Sequence, residues 1–279
     1  VRRGFLITVS ALLLLMSSVL FIQNNQKVGR DEERAIGDAV AVDSAAYMFD
    51  DVAGDLSSML GPAVSISRNS SESNITFIEQ LPRSFTDSSL LSNYSSFIAN
   101  YSNETNSGIA LNFSGVLNGT LLIFSNGLQY DRNMTSVRFH SSSGSTNASA
   151  YELSIFSNDY RNGENISSIS SQQSGSMKLI VHYSDLNGSS ESSGTFDPNS
   201  VVSYYVSYLG DPASALRISV GNISGSGSIE VDQAGSLQVG VNLTARGGWN
   251  GSLAYGYNVN MSYAQLNVGK NDLVWVERD

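Results

Sequence analysis

Phe5 to Ile22 reads FLITVSALLLLMSSVLFI, eighteen residues without a charge, and the organisation of the chain follows from this run. Wound as a helix it reaches about 27 Å, close to the hydrocarbon thickness of a bilayer. Arg2 and Arg3 precede it, Gln23-Asn24-Asn25-Gln26-Lys27 follows, and no other segment of the 279 residues resembles it. The expectation is a single membrane helix with Arg2 and Arg3 kept on the cytoplasmic side. On the far flank Lys27 and Arg30 compete with them, but Asp31, Glu32 and Glu33 come next. The sequence where the run ends, Val19-Leu20-Phe21-Ile22-Gln23-Asn24, holds no small-x-small site, so an ordinary cleaved secretory signal is not expected.

The helical pattern continues outward. Ile36, Ala39, Val40, Ala46, Tyr47, Phe49, Ala53, Leu56, Met59 and Leu60 recur at three- and four-residue steps, with Asp43, Asp50, Asp51 and Asp55 largely between them. This spacing predicts an amphipathic helix over 23–61 that packs on a following domain. Gly61-Pro62 ends it, the glycine as the left-handed residue past the last turn. Gly29 is a candidate hinge. The carboxylates of Asp50, Asp51 and Asp55 read as a solvated face and carry no assigned chemistry.

Two basic residues, then Gly4, then an apolar run opening at Phe5 resemble the class III signal of archaeal type IV pilin-like proteins. The resemblance covers roughly the first 60 residues. It implies cleavage between Gly4 and Phe5, a basic leader over 1–4, and a helix that stays on the mature subunit. It also implies identical or related subunits as partners through that helix. The chain departs from the family in lacking a GVSP-like opening and the Glu five residues into mature bacterial pilins. The alternative from the same residues is a plain signal anchor, with a stalk helix on a monomeric surface protein.

After Pro62 the period changes to that of strands. Runs beginning near Ala63, Ile75, Ile109, Gly119, Thr135, Tyr151, Met177, Val201, Leu216, Ser228, Leu237, Ser252 and Leu273 are separated by turn pairs such as Asn126-Gly127 and Asn187-Gly188. In Leu237–Ala245, Leu237, Val239, Val241 and Leu243 share one face, with Gln238, Asn242 and Thr244 on the other. The region Ser84–Gly108 has roughly helical apolar steps. The fold class expected is α+β: a long N-terminal helix, then an all-β antiparallel, sandwich-like head. The Ser/Gly/Glu-rich stretch Asn187–Gly194 is the candidate boundary, dividing the head into 62–190 and 191–279, or joining one continuous domain.

Composition narrows the function classes. Charged residues are 14%, net charge is -10, and there is no cysteine. Nucleic acid is not an expected partner, since nothing neutralises a run of phosphates. Disulfides, thiol catalysis and thiolate metal sites are excluded. Asn-x-Ser/Thr occurs at Asn69, Asn74, Asn93, Asn100, Asn103, Asn112, Asn118, Asn133, Asn147, Asn165, Asn187, Asn222, Asn242, Asn250 and Asn260. That is fifteen sequons where chance placement gives about five, and none lies in the first 68 residues. N-glycans on an extracellular head are therefore expected, with Asn242 on the polar strand face as a glycan needs.

Catalytic signals are sparse. His140 and His182 are the two histidines, each in an expected strand, and make no metal motif. No GxSxG is present, the Gly221–Gly227 loop lacks a P-loop lysine, and Asn158–Glu164 has calcium-loop composition without EF-hand spacing. No catalytic residue, cofactor or metal is assigned. Tyr204, Tyr205, Tyr208, Trp249, Tyr255, Tyr257 and Tyr263 crowd the last third and read as core and cross-strand packing more than as a contact face.

Overall fold

The computed structural model describes residues 2–61, 63–69, 71–83, 87–105, 108–249, 253–263 and 268–276. Within these, the side chains of 2–13, 41, 44, 45, 49, 63, 87, 88, 105, 263 and 268–276 lie outside the description.

The chain opens with one helix, α1 (Arg2–Leu60), of 59 residues. It runs unbroken through Gly29, Gly37 and Gly54, so the expected hinge at Gly29 is helical. It stops where the sequence puts the stop. Gly61 takes φ 55° and donates its N–H to the Ser57 carbonyl at 3.1 Å, satisfying a helix-end acceptor as a left-handed glycine does. The expected packing face is shorter than predicted. Ile36, Val40 and Tyr47 are 65%, 63% and 73% exposed, and among the described side chains Met48 is partly buried against the core and full burial begins with Val52, Ala53, Leu56 and Leu60.

The body is largely antiparallel sheet. Its elements are β1 (Ala63–Arg68), β2 (Ser73–Leu81), α2 (Asp87–Thr105), β3 (Ile109–Asn112), α3 (Ser114–Leu117), β4 (Thr120–Phe124), β5 (Leu128–Arg132), β6 (Ser136–Ser141) and β7 (Ala148–Ser157). There follow β8 (Arg161–Glu164), a 3-10 turn over Ile166–Ser171, β9 (Met177–Asp185), β10 (Gly188–Phe196), β11 (Val202–Tyr208), β12 (Ala215–Gly221), β13 (Ser228–Ala234), β14 (Val239–Gly247), β15 (Tyr255–Tyr263) and β16 (Val268–Val276). Six strands form one sheet in the order β1-β2-β14-β7-β9-β10, and the second runs β16-β15-β4-β5-β6-β13-β12-β11-β8 with β3 beside β15. Among the described strands β7 and β9 pair in parallel.

In β14 alternation buries one face, with Val239, Val241, Leu243 and Ala245 pointing inward, and β5, β6 and β7 largely follow the same pattern. The inner faces meet through aromatic rings. Phe77 of β2 stacks on Tyr130 of β5 with centroids 4.0 Å apart and planes at 5°, and Phe139 of β6 meets Tyr151 of β7 edge-on at 6.2 Å. Each such ring, fully buried, contributes about 1.5–3 kcal/mol of apolar transfer. α2 covers one end, with Leu91, Tyr94 and Ile98 turned inward.

The compositional boundary near residue 190 falls inside β10, and both sheets take strands from either side of it. Asn187–Gly194 looked like a loop because edge strand β10 buries only Ser192 and Phe196. It nonetheless pairs with β9 from Gly188 to Phe196. β5 was not expected as a strand either. Its sequence LQYDR ends in two charges, yet Leu128, Tyr130 and Arg132 all point inward.

Candidate functional site

Two surfaces hold the residues the sequence singled out: the outside of α1 and the turns that carry sequons. On α1, Leu14, Leu15, Met16, Val19, Leu20, Phe21 and Ile22 are 44–68% exposed. No described residue of the helix before Val52 is buried. Among the described residues no helix is long and apolar enough to cross a membrane. The expected span Phe5–Ile22 falls partly outside that description, since the side chains of 5–13, like those of leader residues Arg2, Arg3 and Gly4, are not described.

The last turns of α1 are fixed in the head by polar groups as well as by Leu56 and Leu60. Arg132, 4% exposed, donates through Nη2 to the Leu60 carbonyl at 2.7 Å and through Nη1 to Glu79 Oε1 at 3.1 Å. Tyr130 also donates to Glu79, at 3.3 Å. One guanidinium therefore joins both sheets to the helix end, where a cation complements the helix dipole. Tyr94 of α2 donates to Asp55 at 2.9 Å. Burial first, and then Asp55, push its hydroxyl well above the ordinary tyrosine range. Asp50, Asp51 and Asp55 are all exposed, and Asp55 in addition accepts the bond that ties α2 to the helix.

The sequons fall on the outside of the head. Asn69, Asn93, Asn100, Asn103, Asn112, Asn118, Asn133, Asn147, Asn187 and Asn222 are exposed, and Asn74, Asn165, Asn242 and Asn260 are half-buried. Asn250 lies outside the described residues. Asn69, Asn133, Asn147 and Asn187 occupy turns between strands, and Asn93, Asn100 and Asn103 lie on α2. Asn242 does face outward from β14 but sits in a central strand opposite Ile78 and Ser154. Its side-chain oxygen, like that of Asn74, is buried and without a hydrogen-bond partner among the described residues.

The candidate chemical groups are not brought together. His140 Nε2 lies 3.0 Å from Asp131 on the second sheet. His182 lies between Glu152 at 3.5 Å and Glu191 at 3.4 Å on the first. Glu152 also pairs with Arg246. No group of three His, Cys, Asp or Glu suited to a metal occurs among the described residues. In Asn158–Glu164 the carboxylates hold backbone instead. Asp159 accepts from Tyr160 N and, at 2.9 Å, from Gly210 N, and Glu164 accepts from Ser167 N at 3.1 Å. Gly221–Gly227 is the β12–β13 turn, closed by the Ser228 hydroxyl on the Gly221 carbonyl at 2.7 Å.

A hollow of about 480 Å³ beside Gly61 is lined by Ile78, Gln80, Pro82, Arg83, Gln238 and Gly240. Glu79 borders it, but its carboxylate is committed to Arg132. Of the C-terminal aromatics, Tyr204, Tyr208, Trp249, Tyr255 and Tyr257 are buried and Tyr205 is 52% exposed, while the Tyr263 side chain is not described. Residues that sequence reading missed are Arg132 and Glu79, whose charges gave no hint of burial. Comparison with family models, curated proteins and solved structures gives no match.

Proposed function

We propose that the protein is a cell-surface structural subunit of the archaeal type IV pilin-like kind, a pilin or minor pilin, acting in filament assembly or adhesion. The observation that carries this reading is the division of α1: a 59-residue helix of which only the turns from Val52 onward are buried in the head. Among the described side chains of the remainder, Leu14, Leu15, Leu20, Phe21, Ile36 and Val40 stay more than half exposed, an arrangement that calls for a lipid or protein environment. In this reading Phe5–Ile22 sits in the membrane, N-terminus inside, and then packs against the same helix of neighbouring subunits. The head is a sandwich-like, N-glycosylated extracellular body. Assembly and contact, rather than catalysis, are its work.

The test is the N-terminal sequence of the protein from surface fractions, read by mass spectrometry. A mature chain beginning at Phe5 is expected. A chain keeping Arg2-Arg3-Gly4 would overturn the reading and leave a monomeric, membrane-anchored surface glycoprotein.

A further inference from the structure

The sequons differ in a way that sequence alone does not reveal. Transfer of a glycan reads two groups together, the asparagine amide and the hydroxyl two residues on. At Asn69, Asn112, Asn133 and Asn187 both residues are exposed, the partners being Ser71, Ser114, Thr135 and Ser189; Asn147 and Ser149 are exposed too, but the Ser149 hydroxyl is taken by the Arg246 carbonyl at 3.2 Å. Asn69 even accepts from its own Ser71, from the N–H at 3.1 Å and from the hydroxyl at 3.4 Å, and Asn112 accepts from Ser114 N at 2.9 Å. The side-chain oxygen is thereby engaged in a local turn, with its amide group at the surface.

Two other sequons close each other. Asn74-Ile75-Thr76 on β2 and Asn242-Leu243-Thr244 on β14 lie on adjoining strands, with Thr76 directly opposite Thr244. Their hydroxyls bond to one another at 3.0 Å, so each sequon consumes the group the other must present. The side-chain oxygens of Asn74 and Asn242 are buried as well. Asn100 is closed differently: its partner Ser102 is 8% exposed and its hydroxyl oxygen accepts from Ile109 N at 2.8 Å.

We propose that oligosaccharide is added to the folded head, at the open sequons Asn69, Asn112, Asn133 and Asn187, and is withheld from Asn74, Asn242 and Asn100. The donor is a glycosyl phosphate or diphosphate used by a separate transferase. The asparagine Nδ2 bonds to the anomeric carbon, the bond from that carbon to the phosphate oxygen breaks, and the phosphate leaves with the electron pair. One Nδ2 proton is lost to solvent. The closed pair lies between two neighbouring inner strands of the six-stranded sheet, whose register holds the two hydroxyls opposite one another.

This inference rests on the extracellular placement proposed above, and one experiment separates the two. Protein from the surface of the cells that make it is digested and mapped by mass spectrometry, which reads the N-terminus and every sequon. The expected result is sugar on the open sequons and unmodified asparagine at 74, 100 and 242. Sugar at any of those three, or bare asparagine at all four open sites, would overturn the inference. Either result with a chain starting at Phe5 leaves the pilin-like reading intact. A chain retaining Arg2 with sugar at the open sites removes that reading and keeps this one.

Discussion

Arg132 Nη2 stands 2.7 Å from the carbonyl oxygen of Leu60, so a strand residue closes the end of a helix 72 positions earlier in the chain. The same guanidinium pairs with Glu79, and the two side chains are 1% and 7% exposed. Burying such a pair costs desolvation, but removing one partner strands the other charge. Arg132→Met is expected to destabilise the protein by about 3–5 kcal/mol, and the double variant Arg132→Met with Glu79→Leu to recover a good part of that. Urea unfolding of the single and double variants checks it. Equal loss in both would mean that the pair is held for packing alone.

The two ends of α1 are expected to respond differently to truncation. Leu56 is fully buried against the head, so Leu56→Ala should cost about 2–5 kcal/mol. Ile36 is 65% exposed, so Ile36→Ala should change head stability by less than about 0.5 kcal/mol. Under the filament reading the second variant should instead reduce assembly. Thermal melts alongside electron microscopy of the surface fraction distinguish these effects.

How far the fold could be read depended on what each residue advertises. The long helix and its stop at Gly61 were legible because apolar spacing and a helix-ending glycine are local signals. Most strands were legible for the same reason. β10 was not, because an edge strand with one neighbour can be built almost wholly from Ser, Gly and Glu. β5 was not, because Arg132 is an inward-facing charge whose partners, Glu79 of β2 and the Leu60 carbonyl, are supplied from across the fold. The amphipathic pattern at Ile36, Val40 and Tyr47 is real, but periodicity does not say what will cover a face, and the head does not. For the sequons, positions were fully legible and accessibility was not, since the Thr76–Thr244 bond depends on the β2–β14 register.

Gly221 should tolerate no side chain. It has φ 117°, and a Cβ there would come within 1.8 Å of the Ser200 carbonyl oxygen, a backbone atom unable to swing aside. Gly221→Ala is therefore expected to destabilise the β11–β12–β13 region by about 1–3 kcal/mol or more. Gly144→Ala, also at positive φ but with nothing within 4 Å, should cost less. Hydrogen exchange localised to 202–234 reads the difference.

Buried tyrosines are expected to set the alkaline limit of the fold. Tyr94, Tyr130, Tyr151, Tyr183, Tyr204 and Tyr208 are all raised above the ordinary tyrosine value, chiefly by burial. A folded-state value above the unfolded one means that the native state holds its protons where the unfolded chain has released them. The stabilisation is fully present below about pH 10 and falls as pH rises beyond it. Stability measured in urea should be flat from neutrality to about pH 10 and then drop. Tyrosinate absorbance in the near ultraviolet follows these six raised tyrosines directly. The buried set should ionise only together with the loss of near-ultraviolet circular dichroism. Smooth titration of these six tyrosines near pH 10 in a still-folded protein would mean that their rings are far more accessible than the stacked Phe77–Tyr130 core implies.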